Sequence, residues 1–219
     1  MSTVAPGTGV DGAALPPEAL ARAAALLAAG GRRLLGLAGP PGAGKSTLAA
    51  RLAAALGPAA CVVPMDGFHL AQRELERLGR AGRKGAPDTF DAAGYRALLQ
   101  RLRAAGGDEE VYAPEFRREI EEPVAGAIAV GPEVRLVITE GNYLLLDDGP
   151  WAGVAALLDE AWYVHTPDAL RVPRLVARHV AHGRAEAEAR RWVEASDELN
   201  ARLVAGTRGR ADYVFRWTG

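Results

Sequence analysis

Apolar residues recur along the chain in two patterns, one typical of buried strands and one typical of helices. Short continuous apolar runs predict strands at residues 33–38, 61–65, 134–139, 161–165 and 213–217. Helical periodicity and capping residues predict helices at residues 16–29, 45–56, 92–104, 167–182 and 186–204, with a shorter one near 70–78. The charged segment 112–122 is predicted to be irregular. Because strands and helices alternate, we expect an α/β fold with a doubly wound parallel sheet, whose ligands lie at the carboxyl ends of the strands.

Length and composition limit the class of protein. The 219 residues suit a single domain, placed at residues 15–219, and the aperiodic residues 1–14 are predicted to form a disordered tail. The 26 basic and 27 acidic side chains nearly balance, which argues against a nucleic-acid-binding protein. No apolar stretch is long enough to span a bilayer and no secretory signal is recognised, so no membrane partner is expected. The single cysteine, Cys61, suits a reducing, cytoplasmic location.

A glycine-rich turn joins the first predicted strand to the helix at residues 45–56, and it satisfies the phosphate-loop pattern GxxxxGK[ST] in the required context. Its glycines allow backbone N–H groups to converge on anionic oxygens, and the helix adds the positive end of its dipole. Lys45 would reach the β- and γ-phosphates of ATP, and Ser46 would ligate Mg²⁺. The alternative is a flexible turn without a ligand. The residues expected to bind the nucleotide here are Gly39, Pro40, Pro41, Gly42, Ala43, Gly44, Lys45, Ser46 and Thr47.

Lysine is rare in this chain. The basic charge is almost wholly arginine, and Lys45 and Lys84 are the only lysines. The arginine bias by itself says nothing about function. A lysine at the phosphate-binding position nevertheless fits a site that needs a compact ammonium group.

Two acidic residues lie at the ends of predicted strands, at the edge of the sheet where the glycine-rich turn is expected. Asp66 comes directly after the strand at 61–65, where its carboxylate could accept the proton of an acceptor hydroxyl. The alternative for Asp66 is a local turn with Gly67. Glu140 ends the apolar run at 134–139, where it could hold Mg²⁺ or a water bound to it; the alternative is a carboxylate that caps the next helix.

Five segments resemble those of the P-loop small-molecule kinases in order and rough spacing. They are the glycine-rich turn, MDGFHL, RKGAPDTFD, residues 112–114 and ITEGNYLL. The group comprises uridine kinase, phosphoribulokinase and bacterial pantothenate kinase, and the central segments look most like pantothenate kinase. The resemblance implies a P-loop NTPase three-layer sandwich, with a mainly parallel five-stranded sheet, helices on both faces and a helical lid.

The resemblance also implies roles for individual residues. Asp66 matches the catalytic base, Lys45 and Ser46 match the phosphate and magnesium ligands, and Glu140 matches the acidic group near the metal. The substrate-side segment is expected at about residues 66–122. Its basic pair Arg83 and Lys84 could hold an anionic acceptor or the phosphates of the nucleotide, or form a solvated basic loop. The acceptor contacts expected from these segments are Asp66, Phe68, His69, Arg83, Lys84, Tyr112, Arg117, Glu140 and Asn142.

Three arginines in the last third of the chain recur at helical spacing: Arg171, Arg174 and Arg178. They resemble the family's lid helix, expected at about residues 168–190, whose arginines close over the transferring phosphate. On this interpretation Arg174 is catalytic, and Arg171 and Arg178 contact the nucleotide. The alternative is a solvated helix face.

The motifs together predict an ATP-dependent kinase, with Mg²⁺, that phosphorylates a hydroxyl of a small metabolite. A nucleoside, a pantothenate-like acid and a sugar all fit as the acceptor, and a homodimer is an open alternative to a monomer. The competing hypothesis is a regulatory P-loop NTPase or nucleotide-binding switch that acts on a protein partner. Such a switch needs the phosphate loop and Glu140 but has no use for Asp66 or an arginine lid.

Overall fold

The computed structural model describes residues 15–105 and 108–217. The tail predicted at residues 1–14 lies outside the described residues. The strands are β1 (Arg33–Ala38), β2 (Ala60–Pro64), β3 (Val111–Arg117), β4 (Glu122–Val130), β5 (Leu136–Gly141), β6 (Glu160–His165) and β7 (Tyr213–Arg216). The α-helices are α1 (Pro17–Ala28), α2 (Lys45–Leu56), α3 (Gln72–Arg77), α4 (Ala92–Ala104), α5 (Asp168–Ala181), α6 (Glu186–Trp192) and α7 (Glu198–Ala205).

Five strands form a parallel sheet in the order β2-β5-β1-β6-β7, as the apolar runs predict. Alternate residues of β1 enter two different cores. Leu34 packs on the face that α4 covers, and Leu35 and Leu37 pack on the face that α1 and α2 cover. The sheet is therefore sandwiched between helices, which confirms the three-layer α/β fold.

The register of the sheet brings three strand ends together. Ala38, the last residue of β1, pairs with Gly141, and Pro64, the last residue of β2, pairs with Glu140. The segments that leave β1 and β2 therefore begin side by side at the carboxyl edge, with Glu140 between them.

Residues 112–122 were predicted to be irregular, and that prediction is wrong. Strands β3 and β4 form an antiparallel hairpin outside the main sheet, with a bulge between Ala113 and Glu115. The hairpin packs on the turn Met65–Phe68, where Gly67 makes this contact close. A Cβ at Gly67 would lie 2.3 Å from the carbonyl oxygen of Pro114. The structure stabilises the hairpin through this long-range contact, which the local sequence does not encode.

The last third of the chain also differs in detail from the prediction. The single helix expected at 186–204 is interrupted by a π-helical turn, Val193–Asp197, between α6 and α7. Leu175 and Val176 of α5 pack with Ala189 of α6 and Val193 in a small core that is separate from the two cores of the sheet. Across residues 15–105 and 108–217, no helix is both long and apolar enough to cross a membrane.

Candidate active site

The glycine-rich turn lies between β1 and α2 and has the backbone of a phosphate-binding loop. Gly42 and Gly44 have positive φ angles of 78° and 88°, a conformation that favours glycine. Gly44 also lies against the indole of Trp217, since a Cβ there would lie 2.7 Å from the Trp217 Nε1 atom. The loop leads directly into α2, so its backbone N–H groups and the N-terminus of this helix serve one anion site.

Lys45 is buried, with 8% of its surface exposed, and its ammonium group lies within the loop. The Nζ atom donates to the carbonyl oxygens of Gly39 at 2.9 Å and Pro40 at 3.1 Å, and to Oδ1 of Asn142 at 2.8 Å. Burial lowers the pKa of Lys45 to about 8, although Glu140 and Asp66 oppose the shift. The site therefore holds a partly desolvated cation at the position where a triphosphate would bind.

Ser46 and Glu140 meet beside this lysine. The Ser46 Oγ atom donates a hydrogen bond of 2.8 Å to Oε1 of Glu140, which is 6% exposed. Burial, and then the charge of Asp66, raises the pKa of Glu140. A hydroxyl and a carboxylate are oxygen ligands of the kind that Mg²⁺ prefers, so Ser46 and Glu140 would be able to hold a magnesium ion.

Asp66 lies on the turn Met65–Phe68 that follows β2. Its Oδ2 atom is 3.6 Å from Nη2 of Arg118, and one third of its side chain is exposed. Its backbone oxygen is 2.8 Å from Nδ1 of His69. The His69 ring packs between two aromatic rings, with its centre 4.0 Å from that of Phe90 and 4.7 Å from that of Phe116. Burial lowers the pKa of His69, so the neutral ring is favoured in this aromatic contact.

One cavity of about 480 Å³ connects these groups. It joins the glycine-rich turn to the segment after β2, to the tip of the β3–β4 hairpin and to the helices after β6. The residues predicted from the sequence that line it are Pro41, Gly42, Lys45, Ser46, Asp66, His69, Lys84, Glu140, Asn142 and Arg178. One cavity therefore contains the glycine-rich turn, which can bind an anion, the Ser46 and Glu140 oxygens, which can bind a metal ion, and the partly exposed carboxylate of Asp66.

Comparisons with known proteins agree with this geometry. The family described as "Magnesium chelatase, subunit ChlI" matches residues 14–63, the part of the chain around the phosphate loop. The "Putative uridine kinase C227.14" of Schizosaccharomyces pombe is 39% identical over 194 residues, which is 84% of this chain and 82% of that protein. The chain belongs to the P-loop small-molecule kinases. It is thus an ATP-dependent enzyme rather than an isolated nucleotide-binding fold.

Two further relatives of this kinase have different names. A crystal structure described as a "putative fructose transport system kinase" from Silicibacter sp. TM1040 has a TM-score of 0.82 and 40% identity, covering 94% of this chain and all of that one. The pantothenate kinase of Rhodococcus erythropolis is 32% identical over 155 residues, which is 63% of this chain and 49% of that protein. The names agree on phosphoryl transfer and disagree on the acceptor.

Arg171 of the kinase lies beneath the phosphate loop instead of facing the cavity. It is 1% exposed and donates to the Pro41 carbonyl oxygen at 3.1 Å, to Glu198 at 2.6 Å and to Asp168 at 2.9 Å. In this structure its contact is with the loop itself. Its neighbours on α5 differ, because Arg178 lines the cavity and Arg174 does not.

Four predicted acceptor contacts also lie off the cavity in this structure. Arg83 makes a two-pronged ion pair with Asp88, at 2.6 and 2.5 Å, and Arg117 pairs with Glu115 at 2.5 Å. Tyr112 is 55% exposed, and Phe68 packs edge-on against Tyr95 at 5.3 Å. Their direct contact with an acceptor stays a prediction.

Other cavity residues were missed by the sequence reasoning, and most come from the hairpin and from the helices after β6. His179 and Asp197 pair at 2.8 Å, and Asn200 donates to the Gly85 carbonyl oxygen at 3.4 Å. No spacing in the sequence distinguishes Arg118 from Arg117. The missed lining residues include Gln72, Phe90, Phe116, Arg118, Glu121, His179, His182, Arg184, Trp192, Asp197 and Asn200.

Proposed function

We propose that this kinase transfers the γ-phosphoryl group of ATP to a hydroxyl of a small metabolite, with Asp66 as the base. The observation that carries the proposal is the position of Asp66, which lines the same cavity as Lys45, Ser46 and Glu140. A regulatory switch that only binds and hydrolyses nucleotide would need no cavity beyond the phosphates. The space on the far side of Asp66, between the hairpin and the loop that carries Lys84, provides for an acceptor.

The roles on the ATP side follow from charge and position. The loop N–H groups and Lys45 would hold the β- and γ-phosphates, and Arg178 would neutralise charge that develops on the transferring group. Ser46 and Glu140 would hold Mg²⁺, which supplies charge neutralisation across the β- and γ-phosphate oxygens. Arg174 would act only if the lid turns it towards the cavity.

On the acceptor side, the reaction requires transfer of the hydroxyl proton and exchange of one bond at the γ-phosphorus. The acceptor oxygen forms a new bond to the γ-phosphorus as the bond to the bridging oxygen of ADP breaks. The hydroxyl proton passes to the Asp66 carboxylate, which is half-buried and accepts no hydrogen bond within the described residues. This bond exchange gives ADP and a phosphorylated metabolite.

The domain boundaries, location and assembly belong to the same proposal. Residues 15–219 would form one kinase domain, with the substrate-side segment at about 66–122 and the lid at about 168–190. A cytoplasmic location and a homodimer stay predictions, as does the absence of a nucleic-acid partner. A nucleoside, a pantothenate-like acid and a sugar are the acceptor classes to compare, in keeping with the names of the relatives.

Asp66→Asn tests the assignment of the base. Because the amide cannot take the proton, we expect turnover with an acceptor to fall about a hundredfold or more. ATP affinity should stay near that of the unaltered kinase. The measurement is ADP release with a panel of hydroxyl acceptors, together with calorimetric titration of ATP.

Asp147→Asn is a matched control, because Asp147 is a surface carboxylate that pairs with Arg210 outside the cavity. It should leave both measurements unchanged. Normal turnover by Asp66→Asn with a true acceptor would show that another group is the base.

A further inference from the structure

Two cationic side chains lie on the acceptor side of the cavity, beyond those that the triphosphate requires. Arg118 follows β3 at the tip of the hairpin, and Lys84 lies on the loop between α3 and α4. Both contact the same aromatic ring. The Arg118 guanidinium carbon is 5.9 Å from the centre of the Phe116 ring, and the Lys84 Nζ atom is 5.2 Å from it. The two cations therefore share one wall, opposite the phosphate loop.

The donors of these two side chains are mostly unused. Arg118 has five N–H donors, yet it makes no hydrogen bond to the described part of the chain, and its ion pair with Asp66 spans 3.6 Å. Lys84 is nearly buried, with 14% of its side chain exposed. It donates to the Glu121 carbonyl oxygen at 2.6 Å and lies 3.5 Å from the Glu121 carboxylate. An ammonium group has three donors, so capacity remains on both residues for a ligand.

The backbone at the hairpin tip has an unfavourable conformation at the residue that Lys84 contacts. Glu121 has a φ of 53°, and it is the one non-glycine residue with positive φ in the described ranges 15–105 and 108–217. This conformation is unfavourable for a residue with a Cβ, and such strain tends to persist at functional sites. Here it accompanies the contact of the Glu121 carbonyl with Lys84.

The opposite wall adds a third cation. Arg178 lines the cavity, and its guanidinium makes no hydrogen bond or ion pair with the described residues. Desolvation, and after it the charge of Arg118, lowers the pKa of Arg178. Arg118 and Arg178 thus both line this cavity, and each guanidinium offers N–H donors to an anionic ligand although carboxylates also line the cavity. ATP supplies one such anion, bound at the phosphate loop.

We propose that the acceptor of this kinase carries an anionic group, a carboxylate or a phosphate, that Arg118 and Lys84 bind. The inference rests on the proposed function, because it takes Asp66 as the group that meets the acceptor hydroxyl. Arg118 lies beside Asp66, so the anionic group is only a few bonds from the hydroxyl that is phosphorylated. A small hydroxy acid or a sugar phosphate meets both conditions. A neutral nucleoside or free sugar leaves the remaining donors of Arg118 and Lys84 without an anionic partner.

The first experiment compares acceptors in pairs in which one member carries an anionic group and the other has a neutral group or a hydrogen in its place. Suitable pairs are pantothenate with panthenol, glycerate with glycerol, fructose 6-phosphate with fructose, and uridine 3′-phosphate with uridine. ADP release by the full chain gives kcat/KM for each. We expect the anionic member of at least one pair to exceed its neutral partner about tenfold or more, as a charged hydrogen bond requires. The carboxylate and phosphate pairs together identify which anion is bound.

The second experiment removes the cations one at a time. Arg118→Gln and Lys84→Gln should each raise KM for the preferred anionic acceptor about tenfold to a hundredfold, and leave its neutral partner almost unaffected. KM for ATP should change little. Arg77→Gln is the control, because Arg77 is a surface guanidinium that pairs with Glu74 on α3 and lies outside the cavity. It should change neither constant.

Binding measurements test the anion site even if none of the acceptors is phosphorylated. The same pairs are titrated by calorimetry into the kinase with Mg²⁺ and a non-hydrolysable ATP analogue. Preferential binding of the anionic members that is lost in Arg118→Gln supports the anion site, even if no phosphoryl transfer is observed. Absence of transfer then counts against the proposed function alone. Three results would overturn the anion site. They are equal or preferred use of the neutral members, no binding of any anionic member, and unchanged binding and KM of the anionic acceptor in Arg118→Gln.

Discussion

The two walls of the cavity are built in different ways. The centre of the ATP-side wall is one continuous segment, in which β1 leads through the glycine-rich turn into α2, and most of its groups are backbone N–H groups. Glu140 of β5 and Arg178 of α5 complete this wall. The acceptor-side wall combines the turn after β2, the loop that carries Lys84 and the hairpin tip with Arg118. Its groups are side chains that meet only in the folded molecule.

This difference explains why the relatives share a reaction and differ in name. A wall made of backbone tolerates few changes, since its N–H groups must converge on phosphate oxygens that are the same in every kinase. A wall made of side chains from separate segments can change one residue at a time. The acceptor specificity of such an enzyme is therefore free to diverge while ATP binding is kept.

Lys45→Ala breaks the ATP-side wall alone. Because Lys45 is the buried cation of the phosphate loop, we expect its loss to weaken ATP binding about a hundredfold or more. Calorimetric titration with ATP and Mg²⁺ measures this. Lys84→Ala removes the other lysine and should leave ATP affinity nearly unchanged. Equal effects of the two substitutions would contradict the division into two walls.

Gly67→Ala breaks the acceptor-side wall alone. Its methyl group would meet the backbone of Pro114, so the hairpin must shift away from Asp66. A displacement of about 1 Å can cost up to about a hundredfold in rate, and we expect kcat/KM for the acceptor to fall tenfold or more. ATP affinity should be retained.

Gly82→Ala is the matched control, because a Cβ at Gly82 meets no atom within 4 Å and its φ is not positive. Its kcat/KM should match that of the unaltered kinase. If Gly67→Ala behaved like Gly82→Ala, the hairpin would not position the acceptor.

The pH dependence of ATP binding sharpens the comparison on the ATP side. The pKa of Lys45 is about 8 in the nucleotide-free protein, so the ammonium loses its proton as the pH rises above that value. Bound phosphates favour the charged form, so binding takes up a proton in this range. We expect the ATP dissociation constant to be flat below pH 8 and to rise up to about tenfold per pH unit above it. If the ATP dissociation constant did not change with pH on either side of pH 8, Lys45 would not be the group that titrates in this range.

The sequence predicted the structure of the glycine-rich turn and its flanking elements almost to the residue, because each step of it is local, while the ligand contacts of these residues stay predictions. The apolar run of β1, the glycines with positive φ and the start of α2 at Lys45 are neighbours in the chain. Asp66 and Glu140 were also placed correctly at the cavity, since parallel strands bring their carboxyl ends to one edge.

The acceptor-side wall could not be predicted in the same way. The hairpin alternates over only a few residues, with Val111 and Ala113 buried and Tyr112 exposed, before a proline and charged residues obscure the pattern. The hairpin is held by contacts with residues far away in sequence, among them the contact of Pro114 with Gly67 and the burial of Val111 and Ala113 in the core. Arg117 and Arg118 are adjacent and chemically identical, so only the fold decides that Arg118 lines the cavity.

The arginines of α5 show a third reason why sequence-based prediction fails. The spacing of Arg171, Arg174 and Arg178 correctly marks one helix, but a helix turns its residues in several directions. Arg171 faces the underside of the phosphate loop and Arg178 faces the cavity. Periodicity gives the relative directions of side chains and does not give the neighbours that they meet.

The rarity of lysine gives this kinase an unusual chemical property. Both lysines of the sequence line the cavity of the candidate active site, so every side-chain amine of the sequence belongs to it. Acylating reagents, which modify many surface amines on an ordinary protein, here find their side-chain targets only at this site. With its pKa near 8, Lys45 also presents far more of the nucleophilic free amine at neutral pH than a solvated lysine does. A general amine label thereby becomes a site-directed probe, and protection by ATP or by an acceptor would report which of the two amines each ligand covers.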